Sequence, residues 1–419
     1  MAHTFINMKF KDYYSLSEII KSNLTKAGFL KPTDIQYKAI PSILRGEDVL
    51  AVAQTGTGKT AAFAIPVIQK VMELNNAYRS EGIKCVVMVP TRELALQVSE
   101  VFQKIGRGTG VATFCVFGGV EQAPQIAKLE KGIDILVTTP GRMFDLSSQG
   151  FIRLNRVRIL ILDEADRMLD PGFIKDIRDV TERVPPKRQT LFFSATIDEN
   201  IKRLAYSLVT NPIRIQVSPK DPVAKNIRHA VSFVEMDDKR FFLERIIKSN
   251  PDDKIMVFVR TKVRAERVVK ALDRLGVPAI AIHGDKDQAE RFEMLDRFRS
   301  GSVRVLISTD VGARGIDIPD IDMVVNYDLP EKAENYVHRV GRTGRGVRKG
   351  QAISFCSEDE KGLLAEIEAY ITKPVNRIDI STEAHRDIVE ASAEYKPDLQ
   401  AVLKEIEQYE NRKKRRKKN

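Results

Sequence analysis

The chain has 419 residues, 68 Lys+Arg against 57 Asp+Glu for a formal net charge of +11, and 43% hydrophobic with 30% charged residues. That length allows two or three domains with their own cores, and that composition excludes a mostly disordered chain. There is no apolar run of membrane-spanning length, no apolar signal core in Met1 to Lys11, and no close pairing among Cys85, Cys115 and Cys356, so the expectation is a cytoplasmic protein without a membrane span, disulfide framework or cysteine-rich zinc site.

The first half alternates short apolar runs with longer amphipathic segments. Val49–Ala53, Cys85–Val89, Ile135–Thr138, Val157–Leu162 and Thr190–Phe193 are predicted strands. They are mostly apolar without alternation, which suits parallel strands buried on both faces. Helical segments between them predict an α/β fold. Pro212, Pro219 and Pro222 then break the pattern and mark a linker. A second series follows with Ile255–Val259, Ala279–Ile282, Val303–Ser308, Met323–Asn326 and Ala352–Cys356. The predicted organisation is a first α/β domain at 1–215, a linker at 216–224, a second α/β domain at 225–375, and a helical extension with a basic tail at 376–419. In that last part Leu399, Val402, Leu403 and Ile406 share one helical face. Seven basic residues then run from Arg412 to Lys418, and removing those seven charges from +11 leaves a body of only +4. Such a polycation fits a nucleic-acid tether, an anionic surface, or simply a solvated end.

The first predicted strand leads into Ala53-Gln54-Thr55-Gly56-Thr57-Gly58-Lys59-Thr60 and helix-forming Ala61–Ala64. A phosphate loop normally begins with Gly where Ala53 stands. Thr55 to Thr60 still offer consecutive N–H groups to a polyphosphate at the positive end of a helix. Lys59 would reach the β and γ phosphates, and Thr60 would hold Mg²⁺. Downstream, a predicted strand delivers Asp163-Glu164-Ala165-Asp166. Asp163 is the candidate on the metal side, and Glu164 the candidate to orient and deprotonate an attacking water.

At Asp163–Asp166 the sequence resembles the DEAD-box ATP-dependent RNA helicases, and further motifs of that family follow in family order. Gly28 to Gln36 resembles the adenine-reading Q motif, with Phe10 upstream. Pro90-Thr91-Arg92-Glu93-Leu94-Ala95, Gly118-Gly119 and Thr139-Pro140-Gly141-Arg142 resemble RNA-contacting loops, and Ser194-Ala195-Thr196 the coupling motif. Val257 to Arg260, Gln288 with Arg291, Ser308 to Asp317, and His338 to Arg345 resemble the motifs of the second domain. The short flanks look most like the bacterial RhlE-type members.

The resemblance implies two tandem RecA-like domains and an RNA-dependent ATPase that locally unwinds or remodels short RNA duplexes and RNA–protein complexes. The alternative it leaves is an ATP-gated RNA clamp without substantial strand separation. It implies ATP and Mg²⁺ as cofactors and a monomer acting on RNA. Phe29 would stack on the adenine, or serve the core. Gln36 would read the adenine edge, and Gly315 and Asp317 would lie by the nucleotide. Arg342 and Arg345 would bring positive charge to the γ-phosphoryl group. Asp166, Ser194, Thr196 and His338 would couple the sites. Thr91, Arg92, Gly119, Thr139, Arg142, Arg260, Gln288, Arg291 and Thr309 would bind the RNA backbone without reading sequence.

Overall fold

The computed structural model describes residues 8–378 except Thr55, 79–81, Asp170, Asp198, 218–222, Lys225, Arg314, Asp317, Pro319 and 345–348. The expected helix around Leu399–Ile406, the basic run Arg412–Lys418 and the candidates Thr55, Asp317 and Arg345 therefore lie outside the described residues.

Two seven-stranded sheets organise the chain. The first contains β1 (Val49–Ala53), β2 (Cys85–Met88), β3 (Thr113–Val116), β4 (Ile135–Thr138), β5 (Ile159–Leu162), β6 (Gln189–Ser194) and β7 (Ile213–Val217). The second contains β8 (Ile227–Phe233), β9 (Ile255–Phe258), β10 (Ala279–Ile282), β11 (Val305–Ser308), β12 (Met323–Asn326), β13 (Gly350–Cys356) and β14 (Asn376–Ile378). Their orders are β3-β4-β2-β5-β6-β1-β7 and β10-β11-β9-β12-β13-β8-β14. Counted from its own first strand, each sheet has the same order, and all the pairings are parallel.

The mostly apolar central strands follow from burial on both faces. Val49, Ala51 and Ala53 pack with Phe63 and Phe102 on one side of the first sheet, while Leu50 packs with Leu136 and Leu160 on the other. The second sheet likewise has a core on each face, one around Phe258 and Tyr336 and one around Val257 and Phe355. Four strands escape the sequence pattern: β3, β7, β8 and β14. Three are sheet edges, and none of the four is continuously buried, so none needs an unbroken apolar run. Pro212, read from the sequence as part of the break, leads directly into β7, where an edge tolerates the missing donor.

Parallel sheets collect functional loops at their strands' carboxyl ends. Here β1 opens into the phosphate loop, β2 into Thr91, β4 into Thr139, β5 into Asp163 and β6 into Ala195. In the second domain β9 opens into Arg260 and β11 into Thr309.

Candidate nucleotide and RNA site

The loop between β1 and the helix Lys59–Tyr78 turns at Gly56 and Gly58, whose φ values are +82° and +89°. Thr57 Oγ1 donates to Gln54 O at 2.7 Å and tightens it. Thr60 sits in the helix's first turn, half-buried. Lys59 is only 6% exposed, and its ammonium has no hydrogen-bond partner among the described residues. A buried cation left unpaired is costly, so this position fits an anionic ligand.

Gln36 and Thr33 grip this loop from the preceding helix, Asp34–Leu44. Gln36 Nε2 donates to Gly58 O at 3.1 Å, and Thr33 Oγ1 donates to Thr57 O at 2.8 Å. Gln36 Oε1 accepts from Thr33 N at 3.0 Å. A Cβ on Gly58 would lie 2.5 Å from Gln36 Nε2, so only glycine leaves room for this grip. Phe29 is half-buried against the first core.

At the end of β5, Asp163 and Glu164 are both buried. Burial raises the Asp163 carboxyl to about 6 against the opposing pull of Lys59. Its Oδ1 accepts from Glu164 N at 2.9 Å, and Glu164 Oε2 accepts from Arg167 Nη1 at 2.8 Å. Asp166 Oδ2 accepts from Ala195 N at 3.2 Å and from Thr196 Oγ1 at 3.5 Å. The structure thus joins Asp166 and Thr196. The Ser194 hydroxyl, expected to share that bond, is buried with no partner among the described residues, because Ser194 is still the last residue of β6 and the loop begins only after it.

The second domain completes the site. Arg342 donates through Nη1 to Ile316 O. Burial and the nearby Arg167 lower Arg342 to about 10, while Glu164 and Asp310 oppose that shift. His338 falls to about 4 through burial and the cations Arg167 and Arg342. Both residues therefore lie within electrostatic reach of Glu164 across the seam. Beside them opens an interdomain cavity of about 550 Å³, lined by Asp166, Arg167 and Thr196 from one domain and by Thr309, His338 and Arg342 from the other. Sequence reasoning missed Arg167, and also Arg339, which is clamped on Asp310 through Nε–Oδ1 at 2.6 Å and Nη2–Oδ2 at 2.8 Å.

The RNA-side candidates divide into two groups. Arg142 Nη2 donates to Val120 O at 2.9 Å, while its buried Nη1 has no partner among the described residues. Arg260 Nη2 is held by Glu360 Oε1 at 2.9 Å. Thr309 Oγ1 accepts from Gly312 N at 3.0 Å, and Thr139 lies half-buried before the helix Pro140–Ser148. Thr91 caps the helix Arg92–Ile105 by accepting from Leu94 N at 3.3 Å. Gly119 has φ +76°, and a Cβ there would sit 1.9 Å from Arg92 Nη1. Gln288 and Arg291 behave differently from the expectation of backbone contacts. They are 6% and 8% exposed and turn onto the first domain. Glu93 Oε1 accepts from Gln288 Nε2 at 3.1 Å, Arg291 Nε at 2.9 Å and Arg291 Nη2 at 2.8 Å. Gln288 Oε1 accepts from Arg92 Nη1 at 3.0 Å. Glu93 was not singled out from the sequence. Its one signal there is an acid in the first turn of a helix, which ordinarily means no more than a favourable dipole contact. Gly315, expected at the nucleotide, also faces across the seam. Its φ is +68°, and a Cβ would lie 1.7 Å from Thr91 Oγ1.

The comparisons agree with this geometry. The DEAD/DEAH box helicase family matches residues 33–204, and the helicase conserved C-terminal domain matches residues 238–347. The DEAD-box ATP-dependent RNA helicase CshA of Bacillus subtilis is 40% identical over 375 residues, covering 89% of this chain and 74% of that protein. The structure of S. cerevisiae Dbp5 bound to RNA and ADP BeF3 superposes with a TM-score of 0.78 at 31% identity, over 90% of this chain and 97% of that one. The DEAD-box helicase Mss116 bound to ssRNA and UDP-BeF gives a TM-score of 0.81 at 28% identity, over 92% and 83%. The two sheets are those of tandem RecA-like domains. With a parallel sheet, a phosphate loop and an Asp-Glu-Ala-Asp strand end in one domain, and a matching sheet carrying Arg342 in the other, the chain belongs to the DEAD-box family of ATP-dependent RNA helicases.

Proposed function

We propose that this RNA-dependent ATPase remodels RNA by closing its two domains on a single strand, and that ATP hydrolysis releases the strand. One observation carries the reading. Arg342 and His338 of the second domain stand within electrostatic reach of Glu164 and Arg167 of the first, beside the unpartnered ammonium of Lys59. Lys59 neutralises the β and γ phosphates of ATP, and the N–H groups of the loop cradle them. Glu164 orients the attacking water and accepts its proton. Arg342 and Arg345 add positive charge to the γ-phosphoryl oxygens only after closure, a contribution on the order of 10³ to 10⁵ in rate. Mg²⁺, when bound, neutralises charge on the phosphoryl oxygens, and Thr60 and Asp163 are the residues that would hold it; the carboxyl of Asp163, buried and raised to about 6, fits a cation.

Gln36 uses one donor position on Gly58 O of the loop and one acceptor position on Thr33 N at the cap of its own helix, and keeps another of each for an adenine edge. Arg92, Gly119, Thr139, Arg142, Arg260 and Thr309 supply sequence-independent contacts to the RNA backbone. The proposal includes a cytoplasmic monomer of the RhlE-type subgroup, with the basic run Arg412–Lys418 tethering RNA. What supports the tether is the polycation behind the second domain, and what supports a reducing compartment is the pair of buried free thiols Cys85 and Cys356. The test is steady-state ATP hydrolysis with no nucleic acid, with single-stranded RNA and with DNA of the same sequence. Strong stimulation by RNA alone is expected, and equal stimulation by DNA would overturn the RNA assignment.

A further inference from the structure

The contact between the domains has an apolar part beside its charged part. Phe117 follows β3 and precedes Gly118-Gly119. Phe292 follows Arg291 on the helix Gln288–Arg299 of the second domain. The two rings meet edge to face, their centroids 6.3 Å apart and their planes at 78°. Phe292 belongs to the second domain, yet it is half-buried against the core of the first. Phe117 offers a fixed seat. Its N–H donates to Gln125 Oε1 and its carbonyl accepts from Gln125 Nε2, both at 3.1 Å.

We propose that Phe292 is a positioning residue for closure. Its ring docks on Phe117, and that docking sets the helix Gln288–Arg299 in register so that Arg291 reaches Glu93. The inference rests on the RNA-driven closure proposed above. The physical argument separates two kinds of contact. RNA phosphates and exposed charges bind less well as salt rises. An edge-to-face aromatic pair excludes water and carries no net charge, so salt leaves it almost unchanged. Phe292 therefore adds a salt-independent share to closure. Separating the domains uncovers the half-buried ring, which gives the closed state an advantage that the isolated second domain does not have.

The experiment compares the full chain with Phe292→Ala and Phe292→Leu. RNA-stimulated ATP hydrolysis is titrated with RNA at low and high salt. Dyes on the two domains report closure with a non-hydrolysable ATP analogue and single-stranded RNA. In Phe292→Ala the half-saturating RNA concentration is expected to rise about three- to tenfold. The factor is expected to be the same at both salts, with kcat at saturating RNA changed by less than about twofold. Phe292→Leu, which keeps an apolar side chain, is expected to recover part of the loss. A merely structural defect would lower kcat and the thermal midpoint instead. An unchanged half-saturation in Phe292→Ala overturns the proposal, as does a shift that vanishes at high salt. Should the alanine variant lower the thermal midpoint, closure measured on Phe292→Leu decides: weaker closure supports the proposal, and wild-type closure overturns it. A wild-type chain that fails to close on RNA overturns the underlying reading as well, so the two failures are distinguishable.

Discussion

Glu164 holds a left-handed backbone, with φ 52°, that a residue with a Cβ adopts at a cost of about 1–3 kcal/mol. Two contacts retain it there: its N–H donates to Asp163 Oδ1, and its carboxylate pairs with Arg167. Glu164→Gln keeps the shape and removes both the proton acceptor and the ion pair. Hydrolysis is expected to fall by about 10²- to 10⁴-fold while ATP-dependent RNA binding persists. Single-turnover hydrolysis beside an RNA-binding titration checks this, and rapid turnover would exclude Glu164 as the base. His338 gives a pH prediction of definite sign. Its pKa is about 4 in the folded chain, against 6.5 when unperturbed, because burial, Arg167, Arg342 and Lys59 outweigh Glu164. Between those values the unfolded chain binds the extra proton. Stability is therefore undiminished above pH 6.5 and declines as pH falls toward 4. Urea midpoints measured on either side of that window should show the decline, and His338→Gln should reduce it.

At the scale of elements, two helix N-termini meet across the seam. Glu93 lies in the first turn of one helix, and Gln288 and Arg291 lie in the first turn of the other. One carboxylate oxygen takes three N–H groups, so removing its charge takes the counter-charge from the buried Arg291 guanidinium, whose other contacts are the carbonyls of His283 and Gly312. Glu93→Gln should weaken RNA-stimulated closure by at least about tenfold in half-saturating RNA. The exchange Glu93→Arg with Arg291→Glu should restore part of it, and a double-mutant cycle reads the coupling. A cycle with no coupling energy would make the pair incidental. Gly315 tests the same seam from another turn. Its φ of +68° and its close approach to Thr91 leave no space for a Cβ. Gly315→Ala should therefore abolish closure measured by interdomain energy transfer while ATP still binds the first domain. Unimpaired closure in that variant would show that the turn can give way.

Across the whole molecule, the same sheet order appears twice, but only the first copy carries a phosphate loop and the Asp-Glu-Ala-Asp strand end. The second copy instead presents Arg342, so in the proposed mechanism the catalytic charge is complete only when both copies meet. The proposed tether, the basic run Arg412–Lys418, would add a longer-range attraction to RNA. Deleting residues 412–419 should weaken RNA affinity and flatten its logarithmic salt dependence by about 0.7 per phosphate released. Filter binding across a salt series checks this, and an unchanged slope would make the tail a solvated end.

Central strands such as Ile135–Thr138 and Met323–Asn326 are read from the chain directly, because burial on both faces demands an apolar run, here closed by one buried polar residue, Thr138 or Asn326. The phosphate loop and Asp163–Glu164 are read just as directly, since their spacing and their place after such strands carry the chemistry. The edges β3, β7 and β14 are not, because an edge answers only half of that demand. Which surfaces face each other was decided only by the tertiary structure. Gln288 and Arg291 fit a phosphate backbone as well as they fit Glu93, and Phe292 would pass for an ordinary helix residue. Local sequence sets the side chain and its helix, but a partner almost two hundred residues away is chosen by how two domains pack.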